Sequence, residues 1–181
     1  MAAQQRPTTR IILIGDSNAG KSSLMNALCR DVHQDTYPTI GFDFNGCDID
    51  GNNVNFWDTA GMERFRSITP MYFRNIDACW VVVDASDRNR DSQATYWLAF
   101  ARKHTTVPIL LVLTKTDLLR NEDAHPKFDF SAHGVPCVEG NCFESQTEWI
   151  EKVRAFVPTP KPKDSDVRLS GSVTPRQCCN Y

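Results

Sequence analysis

Apolar positions along this chain fall into short runs separated by polar turns. Their spacing predicts strands alternating with helices. Arg10–Ile14 carries the unbroken run Ile11-Ile12-Leu13-Ile14, which predicts a strand buried on both faces. Gly20–Cys29 predicts a helix, and the polar stretch Arg30–Pro38 a loop. Ile40–Ile49 alternates through Phe42, Phe44 and Cys47, as a half-buried strand does. The turn signal Asp50-Gly51-Asn52-Asn53 follows, and Val54–Trp57 returns as the partner strand of a hairpin. Ala78–Val83 and Val107–Leu113 are again continuous apolar runs, with a helix predicted over Asp91–Lys103 between them. Gly134–Val138 reads as a last short strand and Ser145–Val157 as a last helix, while Pro126 and its neighbours in 120–133 leave room for only a short one. The alternation predicts an α/β doubly wound, mostly parallel sheet with helices on both faces, and there is no internal repeat.

Three segments follow from this pattern: a polar leader over 1–9, expected to be mobile, a globular domain over 10–157, and a tail over 158–181. The tail is rich in proline, serine and basic residues and offers little to a core. The 181 residues suit one full-sized core. A net charge of −2 gives no basic field that would demand nucleic acid. No apolar run approaches a membrane span, and Met1–Arg6 has no apolar signal core, which speaks against secretion. The seven cysteines lack metal-type spacing and read as free thiols. The histidines form no metal spacing either.

The strongest chemical signal is Gly15-Asp16-Ser17-Asn18-Ala19-Gly20-Lys21-Ser22, which reads G-x-x-x-x-G-K-S between the first strand and helix. In that context successive backbone N–H groups and the helix N-terminus, opening with Ser22 and Ser23, cradle phosphates. Lys21 offers a point charge to the β- and γ-phosphates, and the Ser22 hydroxyl a ligand for Mg²⁺. Asp58 in Trp57-Asp58-Thr59-Ala60-Gly61 closes a strand, where its carboxylate can face that Mg²⁺, and Gly61 can offer an N–H to the γ-phosphate. Thr39 lies in a polar loop from which a hydroxyl can reach Mg²⁺ when the γ-phosphate is present. Asp117 in Thr114-Lys115-Thr116-Asp117 can accept two hydrogen bonds from the guanine edge, a donor pair that adenine lacks. Taken singly, Thr39 reads better as a strand threonine and Asp117 as a helix cap.

Together and in this order, these motifs resemble the Ras superfamily of small GTPases, over nearly the whole of residues 10–157. Ile40-Gly41-Phe42-Asp43-Phe44, the run from Trp57 to Thr69, and Met71-Tyr72-Phe73-Arg74-Asn75 are similar to Rab proteins. The resemblance implies a six-stranded sheet, GDP/GTP exchange with Mg²⁺, and switch segments near 33–44 and 58–75. It implies that Thr114, Lys115, Asp117, Asn141 and Cys142 hold guanine and ribose, with a backbone N–H of Cys142 on guanine O6. Effectors would read Ile40, Phe42, Phe44, Trp57 and Phe73. An exchange factor, a GTPase-activating protein and a prenylation escort or GDI would be further partners. The terminal Cys178-Cys179-Asn180-Tyr181 fits the Rab C-C-x-x form, implying two geranylgeranyl groups and residence on the cytoplasmic face of an intracellular membrane. Lys161, Lys163, Arg168 and Arg176 outnumber Asp164 and Asp166 ahead of it.

The chain also departs from the family pattern. Met62 stands where the family has the glutamine that orients the attacking water, which predicts slow intrinsic hydrolysis. Thr114 replaces asparagine, as in some Rho relatives, and Glu139-Gly140-Asn141-Cys142-Phe143 replaces E-T-S-A-K. The glycine adds freedom to a base-contacting loop. Val32 and His33 stand where an aromatic often stacks on the base, and Asn18 where some relatives have glycine. A nucleotide-locked or hydrolysis-deficient interaction module on the same fold is therefore the alternative reading. An ATP-using enzyme is disfavoured by Asp117.

Overall fold

The computed structural model describes residues 7–30, 42–59, 69–119, 134–142 and 147–160. Six strands form one sheet: β1 (Thr8–Ile14), β2 (Phe42–Ile49), β3 (Asn52–Thr59), β4 (Ala78–Asp84), β5 (Ile109–Thr114) and β6 (Cys137–Glu139). Their spatial order is β2-β3-β1-β4-β5-β6, with β2–β3 antiparallel and every other pair parallel. Three helices are described: α1 (Lys21–Arg30), α2 (Arg90–His104) and α3 (Thr147–Arg154). The chain thus forms the doubly wound α/β fold that the periodicity predicts. Among the described residues no helix is long and apolar enough to cross a membrane.

The unbroken apolar strands serve two cores at once. Ile11 and Leu13 of β1 face α1 and α3, where Leu24, Leu28, Ile150 and Val153 bury with them. Ile12 and Ile14, one residue out of phase, face α2 and pack with Trp97, Leu98 and Ala101. Val82 and Leu110 join the first core, Val81 and Leu111 the second. A parallel strand flanked by helices has no polar face to show, so its sequence cannot alternate.

Three differences from the sequence reading have local causes. β1 begins at Thr8, two residues before the predicted start, so Thr8 and Thr9 belong to the sheet rather than the leader. Thr9 is buried and its Oγ1 donates to the carbonyl of Pro158 at 2.9 Å, which joins the two ends of the folded region. In β2 the apolar face switches at Gly46. Phe44 is exposed on one side, while Cys47 and Ile49 pack into the α1 core on the other. The third concerns the cysteines. Cys29, near the end of α1, and Cys47 are joined in a disulfide with Cα atoms 5.3 Å apart, so the reading of all seven as free thiols is corrected. Packing of α1 on β2 brings the pair together, and sequence spacing carries no trace of that. Cys79, Cys137 and Cys142 are free.

The β2–β3 turn is tighter than the four-residue signal. Asp50 (φ 52°) and Gly51 (φ 81°) alone form it, both left-handed, and Asp48 Oδ1 accepts the Gly51 N–H at 2.7 Å. A two-residue turn of that hand matches the strand twist.

Phe56 is fully buried beside Trp80, whereas Phe44 is 48% exposed on the adjacent strand. Phe56→Ala will lower unfolding free energy by about 3–5 kcal/mol. Phe44→Ala, at a half-exposed ring in edge contact with Trp57, will cost at most about 1.5 kcal/mol. Denaturant titration of both variants checks the orientation of the hairpin: equal losses would contradict it.

Candidate nucleotide-binding site

The carboxyl ends of β1, β3, β4 and β5 meet at one edge of the sheet, and the residues singled out by sequence gather there. β1 ends at Ile14 and α1 starts at Lys21, so Gly15–Gly20 form the connecting loop. Gly15 takes φ 152° and lies so close to β4 that a Cβ would come 2.1 Å from the Val82 carbonyl oxygen. Gly20 takes φ 88° and Asn18 φ 62°, the latter a conformation asparagine tolerates. Ser17 and Asn18 are exposed, Asp16 half-buried and Ala19 buried. The backbone therefore has the curled, glycine-dependent path that a phosphate cradle requires.

Lys21 is 6% exposed and its Nζ donates to the carbonyls of Gly15 (3.0 Å) and Asp16 (2.7 Å). Burial brings its pKa down to about 8, against the opposing pull of the Asp58 and Asp16 carboxylates. Ser22, in the first turn of α1, donates its hydroxyl proton to Asp58 Oδ2 at the end of β3. Asp58 is fully buried, and the next residue, Thr59, donates to the Leu13 carbonyl at 2.8 Å, pinning this end of β3 to β1. Ser22 and Asp58 thus present hard oxygen ligands at one point, as Mg²⁺ prefers. Among the described residues no group of three or more His, Cys, Asp or Glu could hold a metal ion. A cation between Ser22 and Asp58 would draw its other ligands from phosphate, water and residues outside the described ones.

The base-side residues come from β5 and β6. Thr114, fully buried at the end of β5, places its Oγ1 2.7 Å from the Ala19 carbonyl and 3.2 Å from that of Val83. It holds the phosphate loop to the sheet. Lys115 is left-handed (φ 58°), and its ammonium reaches Asp84 Oδ2 at 2.7 Å across the ends of β4 and β5. Burial opposes the charge on Asp84, but hydrogen bonds from Lys115 and Ser86 hold its carboxyl below the ordinary value. With its head committed, Lys115 would offer a base its aliphatic stem. Asp117 is exposed within the 3₁₀ turn Thr116–Leu118, free to present its carboxylate outward. Asn141 and Cys142, buried after β6, face the same end. Burial first and the Asp117 charge second push the Cys142 thiol up to about 12, so it stays neutral and the residue's backbone is its polar handle.

Two participants have no motif to announce them. Asp84 follows an apolar run and reads as an ordinary strand end. Trp97 looks like core on α2, yet its Nε1 donates to Asp16 Oδ1 at 3.1 Å. Their only sequence signal is a polar atom at the edge of an apolar pattern. Of the expected effector-facing residues, Phe44 is exposed and Trp57 half-buried, with ring centroids 5.2 Å apart. Phe73 is corrected: at 7% exposure it packs on Phe100 and His104, because α2 offers that ring an apolar bed. Phe42 pairs with Thr59 in the β2–β3 ladder. Thr39, Ile40, Gly61, Met62, Cys178 and Cys179 lie outside the described residues, as do Val32, His33 and the stretch 120–133.

The sequence is similar to known proteins. Residues 10–117 match the family described as Ras of Complex, Roc, domain of DAPkinase. The Ras-related protein Rab-1D of Dictyostelium discoideum is 34% identical over 179 residues, covering 88% of each chain. A probable Rab-related GTPase of Acanthamoeba polyphaga mimivirus is 42% identical, over 87% of this chain and 82% of its own. The GTP-binding protein YPT53 of Saccharomyces cerevisiae is 35% identical, over 80% and 67%. On these matches the chain belongs to the Ras superfamily of small GTPases, among its Rab-like members.

Proposed function

We propose that this small GTPase is a membrane-recruited switch of vesicle trafficking that hydrolyses GTP slowly on its own. The observation that carries the reading is the contact between Ser22 and Asp58 beneath the glycine-bounded loop, beside a buried lysine. Gly15–Ser23 bind the phosphates, Lys21 moves its charge to their β- and γ-oxygens, and Asp117 selects guanine. Ser22, Thr39 and Asp58 would hold a Mg²⁺ ion, which would supply positive charge beside the phosphates. Thr39 and Gly61 sense the γ-phosphate, and their release after hydrolysis relaxes the switch segments. Effectors then lose the surface around Ile40, Phe42, Phe44 and Trp57. Exchange and GTPase-activating partners drive the cycle.

The slow step follows from Met62. A thioether donates no hydrogen bond and accepts one poorly, so it cannot orient the attacking water. Single-turnover hydrolysis of bound GTP by Met62→Gln will run about 10–100-fold faster than wild type. Equal rates would overturn the role of Met62, and failure of wild type to bind GTP would overturn the switch itself.

Lys21 makes binding pH-dependent. With a pKa near 8 its head is charged below that pH and neutral above. A bound triphosphate favours the charged form, so binding takes up a proton above pH 8 and takes up none at pH 6. Affinity falls as pH rises through 8 and on towards the ordinary lysine range. Calorimetry at pH 9 in buffers of different ionisation enthalpy will show uptake of up to about one proton; no uptake would contradict the assignment.

Cys178 and Cys179 each carry a geranylgeranyl group in this reading, since two chains anchor stably where one binds marginally. The intact mass of protein drawn from native membranes will exceed the sequence mass by two such groups. An unmodified C-terminus would remove the membrane part of the proposal.

A further inference from the structure

Gly140 is a glycine for lack of space. Gly51 and Gly134 take positive φ with open surroundings, which is a conformational use of glycine. Gly140 is not among the glycines of positive φ. A Cβ there would instead lie 1.8, 2.1 and 2.2 Å from Cδ1, Cγ and Nε1 of Trp149. The indole ring fills the space a side chain would take. Trp149 stands in the first turn of α3, whose Ile150 and Val153 are buried in the α1 core, and Trp149 itself packs against that core. Its Nε1 is buried without a hydrogen-bond partner among the described residues, so shape alone holds the ring there.

Gly140 is also a junction. Its N–H donates to the Leu113 carbonyl at 2.9 Å, and its carbonyl accepts the Thr116 N–H at 3.4 Å. It therefore ties β6 to the segment that carries Thr114, Lys115 and Asp117. Asn141 and Cys142 follow it directly. We infer that Trp149 is a positioning residue for guanine recognition, its ring seated on Gly140 fixing the 140–142 loop against the Thr114–Asp117 turn. The inference rests on the proposed role of those two segments at the base. It reverses the expectation that Gly140 loosens the loop: with the ring in place the glycine is what allows the loop to be held.

The test is GDP release, together with competition between GDP and ADP, in wild type, Trp149→Leu, Trp149→Phe, Gly140→Ala and the Gly140→Ala/Trp149→Leu double variant. Trp149→Leu and Gly140→Ala will each release GDP about tenfold faster and lose preference for GDP over ADP. Trp149→Phe, which keeps a ring, will stay close to wild type. The double variant will be no worse than either single change, because both break one contact. A purely structural role would weaken GDP and ADP alike, and that result overturns the inference, as does GDP release within twofold of wild type in Trp149→Leu. Wild type that binds no GDP would overturn instead the reading of the base site on which the inference stands.

Discussion

One hydroxyl proton, on Thr114, is shared between the carbonyls of Ala19 and Val83. Through it the loop after β1 is fastened to the ends of β4 and β5. The group is fully buried, so water does not compete and the bond keeps its strength. The methyl and hydroxyl of the same residue come within 3.3–3.5 Å of the Cβ position of Gly20. A larger side chain at either place would lift the loop. Threonine meets what the fold asks at this point, a short donor reaching a loop carbonyl.

That fastening matters because of how the sheet is made. Parallel strands point their carboxyl ends the same way, and the polar side chains that close each strand collect on one rim. Asp58 stands one residue before the end of β3, while Asp84 ends β4 and Thr114 ends β5. None is a member of the two apolar cores beneath. Each instead takes a partner from a different element: Ser22, Lys115 and Ala19 in turn. The cores set the spacing of the strands, and the spacing sets those contacts.

The strands were legible because their chemistry is local. Ile11–Ile14 and Ala78–Val83 read as buried on both faces, and they are. The phosphate loop was legible because its glycines, lysine and serine are adjacent in the chain. What escaped depends on distance across the fold. Nothing in the residues around Cys29 indicates Cys47, and nothing near Asp16 indicates Trp97. Gly140 was legible as a glycine but not as a space surrendered to a residue nine positions later. β2 was misread at one point because alternation was carried through Gly46, where the strand hands its apolar side from one face to the other.

The placement of Phe73 reaches further than its own burial. Its ring and that of Trp97 both touch Phe100, and Trp97 also touches the phosphate loop. Thr59, on the other side of the Gly61–Met62 stretch, is moored to β1. Thr59 and Phe73 are thus two bollards, one on the strand leading into the phosphate loop and one on the helix leaning against it. Neither can drift without dragging part of a core along.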